Sequence, residues 1–250
     1  MRNNKQILTS YIVNTIVLVV LFGLLLWASE TGLISRYLRG IIMTIFINVI
    51  LVTSLNLTTG FLGQIALGHA GFMSIGAYTA GLFVKYLQDT ENGLGMTLIE
   101  KGNPTTMGTA MFFVSLLLAG CVAAVFGLLV GIPALRLKGD YLAIITLGFG
   151  EIIRSIIENL EFTGGAQGLS KIPKLAQLDT TYIVMVLCVV VIFMFVRSRF
   201  GRSVIAVRED DIASEACGIN NTYYKVLAFT VAAFFAGIAG GIYAQYMSVL

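Results

Sequence analysis

The side chains able to do chemistry are few and concentrated. The only histidine, His69, lies in a run from Gly60 to Gly81 that also holds Gln64, Ser74, Tyr78 and Thr79. Small residues fill nearly half of that run. A lone histidine has no second imidazole with which to build a metal site. His69 and Ser74 would need an orienting group to act as a hydrolase pair, and nothing nearby resembles one. Gln64 and His69 are five apart and do not share a helix face well. Two readings of Gln64, His69, Ser74 and Tyr78 fit. Glycine-dense, interrupted helices occur where they line a transport pathway. They also occur where helices pack closely and polar side chains bond across them.

A second group is Glu151, Arg154 and Glu158, spaced i, i+3, i+7 on one helical face. Only ten uncharged residues separate Asp140 from Glu151. An intramembrane charge is costly and faces protein or water. The segment 140–160 is therefore either a helix whose second half leaves the bilayer, or one whose charged face packs inside a bundle. The three cysteines, Cys121, Cys188 and Cys217, match no metal or redox spacing and read as packing residues. There is no GxxxxGK[ST], no HExxH and no GxSxG; Gly71 to Gly76 has one residue too many before Ser74. No basic–aromatic stripe points to nucleic acid. The expectation is a protein without a catalytic, nucleotide, cofactor or metal site of its own.

The elements that must position these residues follow from composition. Of 250 residues, 57% are hydrophobic and 12% charged, with a mean hydropathy of +0.89. A soluble domain carries about 25% charge, so a polytopic, all-α membrane bundle is predicted. Gaps between charges place the spans. Lys5 to Glu30 encloses 24 uncharged residues, enough for one span at 11–29. Arg39 to Lys85 encloses 45, which predicts two segments, 40–58 and 62–84, with a break near Thr58, Thr59 and Gly60. Further spans fall at 109–133 and 180–197, and 25 uncharged residues follow Lys225. With 140–160 this makes about seven membrane segments, some broken or re-entrant, in one domain over 1–250. The last segment is still apolar at Leu250, from which a chain continuing beyond that residue is expected. The N-terminal apolar run is longer than a signal-peptide core and reads as a retained anchor.

Basic residues set orientation. Arg2 and Lys5, Arg136 and Lys138, and Arg197, Arg199, Arg202, Arg208 and Lys225 all fall on one side when the N-terminus is cytoplasmic. Loops 86–107 and 161–180 are then external. Arg36, Arg39, Lys171 and Lys174 run against the rule, and the long basic loop dominates. That loop, 197–225, predicts two short amphipathic turns with Ile205, Ile212, Ala216 and Ile219 on the apolar side. Asp210 or Asp211 can cap the second turn and Gly218 can end it. Arg208, Glu209, Asp211 and Glu215 would be displayed on a helix lying across the membrane face, either for a cytoplasmic protein or as a solvated loop at the headgroups. Ala233, Gly237 and Gly241, and Gly127 and Gly131, form small-residue faces that favour close helix packing.

Four separated blocks carry a family resemblance from about residue 40 to 250: GQIALGHAGF…GAY (63–78), KGDYLAIITLGFGEIIR (138–154), TGGAQGL (163–169) and SRFGR…RED…ACGIN (198–220). They resemble the branched-chain amino acid ABC transporter permeases, and among these the M-type subunit. The resemblance implies half of a heterodimeric translocation pore in a prokaryotic inner membrane. It implies a paralogous permease as partner, two cytoplasmic ABC ATPases and an external solute-binding protein. It also implies that 215–218 (EACG) belongs to the helix that couples to an ATPase, with Arg208, Glu209, Asp211, Glu215 and Gly218 as its residues. Cys217 stands where an alanine is common, a small-for-small change. The same architecture with urea or a short amide as cargo is the alternative. A secondary transporter would need an ion relay, for which Glu151 and Arg154 form no chain across the bilayer.

Overall fold

The computed structural model describes residues 16–18, 20–25, 27–28, 31, 35–89, 93–100, 103–135, 137 and 140–250. Helix α1 (Arg36–Asn56) starts where the Ser35 hydroxyl oxygen accepts from the Leu38 amide at 3.3 Å. It passes into a π-helical turn, Leu57–Phe61. Residues 62–68 are not helical, and α2 runs His69–Gln88. A minimal hairpin, β1 (Ile99–Glu100) and β2 (Asn103–Pro104), leads to α3 (Thr106–Ala134). Then come α4 (Asp140–Asn159), two 3₁₀ turns, α5 (Leu178–Arg197), the short α6 (Arg199–Glu209) and α7 (Asp211–Ala216), and α8 (Asn221–Met247). The all-α expectation holds.

Among the described residues, four helices are long and apolar enough to cross a membrane: α1 with its π turn, α3, α5 and α8. Of the expected span 11–29, residues 11–15, 19, 26 and 29 lie outside the described residues. Residues 16–18 and 20–25 are helical, with Phe22 stacked on Tyr182 at 5.2 Å and the Tyr182 hydroxyl donating to the Leu18 carbonyl at 3.0 Å. Two boundaries differ from the sequence reading. The segment expected at 62–84 begins at His69, because the chain unwinds through Gly63 at φ +73°. The last helix starts at Asn221, before Lys225, because Asp211 pairs with the Lys225 ammonium at 2.9 Å and lets it sit buried.

Helix α8 is the centre of the bundle: 67% of its span window is buried, against 33–39% for the other three. Its small face receives α2 on one side and α3 on the other. A Cβ at Gly76 of α2 would overlap the Gly237 carbonyl, and one at Gly240 would overlap the Met73 carbonyl. Gly237 also lies against Ala119 and Ala123 of α3, and Gly127 against Ala233. The small-residue faces read from the sequence therefore form one three-helix seam. Without a hydrophobic drive between helices in lipid, such backbone proximity is what holds them together. Gln245, fully buried in α8, adds a polar tie, donating to the Ser115 hydroxyl of α3 at 2.8 Å.

The two ends of the bundle are distinct. At one end Leu250 donates to the Leu169 carbonyl at 3.0 Å, Ser170 bridges to Val249, and Gly108 lies against Leu98 and Leu175. At the other, Arg208 reaches Gly60. Residues 93–100, 103–105 and 160–177 thus share one face, and 198–220 the opposite one. This is the sidedness that the charge pattern implied; Arg2, Lys5, Arg136 and Lys138 lie outside the described residues.

The seam gives a direct test. Gly76→Val should cost ~3 kcal/mol or more, since the obstacle is backbone that cannot step aside. Gly148→Ala, where no atom lies within 4 Å, should stabilise by ~0.5–1 kcal/mol. Thermal unfolding of both variants in detergent checks this, with the Gly76 variant expected to melt well below the parent and the Gly148 variant at or above it.

Candidate transport cleft and cytoplasmic contact

The unwound stretch between α1 and α2 is held by specific partners. The Leu62 amide donates to Leu57 at 3.1 Å and the Gln64 amide to Thr58 at 3.0 Å. The Leu67 amide donates to the Thr146 hydroxyl of α4 at 3.2 Å. Backbone freed from a helix in lipid has to be re-satisfied in this way. Gly68 lies so close to the Thr146 carbonyl that a Cβ would overlap it, and Gly71 faces Gly150. The break is therefore clasped by α4 through glycines on both sides.

His69 is buried, with Nε2 2.9 Å from the Ser54 hydroxyl. The Ser54 hydroxyl is itself 2.9 Å from the Leu51 carbonyl, its acceptor. Nε2 is then the protonated nitrogen and donates to Ser54. His69 pins the start of α2 to α1, the packing alternative left open by the sequence. Gln64 sits in the unwound stretch, its Oε1 buried without a hydrogen-bond partner among the described residues. Ser74 and Tyr78 are elsewhere. They line a cleft of ≈ 310 Å³ between α2 and α4, together with Leu67, Gly68, Leu147, Glu151, Arg154 and Glu158. Of the four pathway candidates, the structure brings two into this cleft and leaves two outside it.

The charged face of α4 is the part of the cleft that the sequence pattern left undecided. Arg154 Nε donates to Glu158 Oε1 at 2.8 Å, with the two side chains 68% and 50% exposed on the isolated chain. This face is open, not packed inside the bundle. The signal was present in the i, i+3, i+7 spacing, but only the fold sets it opposite Ser74 and Tyr78.

At the other end, α6 buries Gly201, Val204 and Val207. Its last-turn Arg208 donates through Nη1 to the Gly60 carbonyl in the π turn at 2.6 Å. The Arg208 stem also lies against Gly63. Asp210 caps α7, accepting from Ile212 at 2.8 Å and Ala213 at 3.1 Å. Gly218, at φ +82°, ends it. Asn221 donates to the Asp211 carbonyl at 2.6 Å and accepts from the Ser214 hydroxyl at 2.8 Å. The expected apolar stripe through Ile205, Ile212, Ala216 and Ile219 is not the buried one: Ile212 is 81% exposed. The extended residue Asp210 breaks the helix and resets its phase, so a single periodicity cannot run through both turns. Arg208, Asp211 and Gly218 hold the pair in place, while Glu209, Ile212 and Glu215 face outward.

The Arg208–Gly60 bond should protect the break. A net hydrogen bond is worth ~1 kcal/mol, about fivefold in an opening equilibrium. Arg208→Ala should therefore speed amide exchange at residues 62–67 about fivefold and leave α3 and α8 unchanged. Hydrogen-exchange mass spectrometry of the purified chain reads it.

The family described as branched-chain amino acid transport system / permease component matches residues 37–250. The high-affinity branched-chain amino acid transport system permease protein LivM of Salmonella typhimurium is 38% identical over 85% of this chain and 53% of its own length. LivM of Escherichia coli is 37% identical over the same shares. A guanosine ABC transporter permease protein, NupQ of Bacillus subtilis, is 23% identical over 75% of this chain and 60% of its own length. No solved structure matches. The chain spans about half the length of the LivM relatives. It is a multi-pass membrane protein, and with the matched region running from the start of α1 through the break, the cleft and the short helix pair α6–α7 to Leu250, it belongs to the family of branched-chain amino acid transport permease components.

Proposed function

We propose that the chain is one permease subunit of an ABC importer for branched-chain amino acids. It forms half of a translocation pore in a prokaryotic inner membrane, with its N-terminus in the cytoplasm. A paralogous permease completes the pore, an external solute-binding protein delivers substrate, and two cytoplasmic ABC ATPases drive the cycle. The observation that carries this reading is the helix pair α6–α7. Its outward side is free for a partner, and its inward side is bonded to the break in the α1–α2 unit. A ligand-driven change requires contacts that differ between two states. Closure of ATPases on α7 would act on a rigid lever fixed by Asp210, Asn221 and Lys225.

A second cargo class is favoured by one observation: a relative named for guanosine lies in the same comparison. The discriminating experiment isolates the complex from native membranes through a tag on this chain, identifies the co-purifying proteins, and measures ATP-driven uptake in vesicles. A P-loop ATPase, a second permease and uptake of leucine, isoleucine and valine are expected. Uptake of a nucleoside or amide instead would replace the cargo. Uptake that follows an ion gradient and not ATP would replace the mechanism. In the same assay Glu215→Lys should lower uptake at least tenfold and leave membrane insertion intact; undiminished ATP-driven uptake would overturn the role of α7.

A further inference from the structure

The cleft between α2 and α4 is a built amphiphilic site. Along α4, Leu147, Glu151 and Arg154 follow one another at roughly one-turn spacing, with ~5–6 Å between successive Cβ atoms. Facing them on α2 are Ser74 and Tyr78. The other side of α4 carries the exposed apolar residues Ile145, Ile152 and Ile156. Charges do not face lipid, so the α2–α4 side is the one turned to water or to protein. Arg154 uses only Nε on Glu158, which leaves the outer edge of its guanidinium fork for another anion. Glu151 lies close enough to Arg154 to act on it electrostatically, and both line the cleft. One carboxylate and one guanidinium edge thus sit a helical turn apart in the cleft wall, with an apolar wall at Leu147 and Leu67 further toward the break. That pattern complements a molecule with an ammonium, a carboxylate and an aliphatic tail.

We propose that this cleft is a water-filled binding station for an amino-acid zwitterion on its way through the membrane. Glu151 takes the ammonium, the outer edge of Arg154 takes the carboxylate, and the aliphatic side chain lies on Leu67 and Leu147. The station rests on the transport reading above and adds to it the residues that recognise the substrate. It also gives the break a place in the path, since Leu67 and Gly68 form the inner end of the cleft.

The test uses the whole complex in right-side-out vesicles, with exposed Cys121 and Cys217 replaced by alanine and buried Cys188 retained. Leucine uptake is measured first, before any label. Ser74→Cys and, separately, Tyr78→Cys are then exposed to a membrane-impermeant cationic methanethiosulfonate. Both should react, and uptake should fall more than tenfold. Leucine during turnover should slow the reaction at least threefold, whereas leucinamide and 4-methylpentanoate, each lacking one charge, should not. Glu151→Gln and Arg154→Gln should each abolish leucine protection with the complex still assembled. Failure of both cysteines to react, or reaction without protection by leucine, would overturn the station while leaving the uptake result standing. Absence of leucine uptake in the unlabelled complex would remove the transport reading and the ligand class together.

Discussion

The structure depends on backbone touching backbone at α8. A bilayer offers helices no hydrophobic gain for leaving lipid, so only dispersion contacts and hydrogen bonds hold them together. Gly76 against Gly237, and Gly240 against Met73, bring α2 and α8 to a separation that any side chain would forbid. Gly237 and Gly127 do the same for α3. Once these three helices are fixed, α4 is clasped to the start of α2 through Gly68 and Gly71, while α1 and α5 can pack with more ordinary side-chain contacts around them. They can also leave much apolar surface outward, as a lipid-embedded protein or a subunit of a larger assembly requires.

That rigid centre permits a defect beside it. Between Leu57 and Gly68 the chain changes from α-helix to π turn to non-helical backbone, a path that would be costly in lipid if its amides were unpaired. Thr146, Thr58 and Leu57 accept the freed amides, and Arg208 of α6 covers the Gly60 carbonyl. The same few residues thus border three things: the cleft with its charged wall, the buried Ser54–His69 bond, and the short helices α6 and α7. A displacement of α6 has a bonded route to the inner end of the cleft. Among the described residues no comparable bond links α6 to the charged wall directly, which makes the break the natural place for a conformational change to enter.

The polar groups divide by environment into holding and receiving roles. His69, Asp211, Asn221 and Lys225 are engaged inside the chain. Glu151, Glu209, Ile212 and Glu215 are presented outward. In the loop 197–225 this division separates residues one position apart. Arg208 turns to Gly60 while Glu209 faces solvent, because α6 buries its Val204–Val207 stripe and the side chain after Val207 falls at the edge of that stripe.

Much of this was legible in the residues. Hydropathy and charge gaps fixed α1, α3, α5 and α8 to within a few positions, because exclusion of charge from lipid acts on each segment separately. The caps at Asp210 and Gly218 were readable for a similar reason: each depends on a side chain or φ angle within a few residues. The break after Thr58 was visible as glycine density, though its extent to Gly68 was not, since the length of unwound chain is set by where α4 supplies acceptors. Ser74 and Tyr78 could be singled out by type, but their meeting with Glu151 and Arg154 depends on Gly68–Thr146 and Gly71–Gly150 packing across roughly eighty residues of chain. The split of His69 from the cleft, the inward turn of Arg208 and the buried Lys225–Asp211 pair were decided only by the tertiary structure, because each depends on which distant partner arrives within bonding distance.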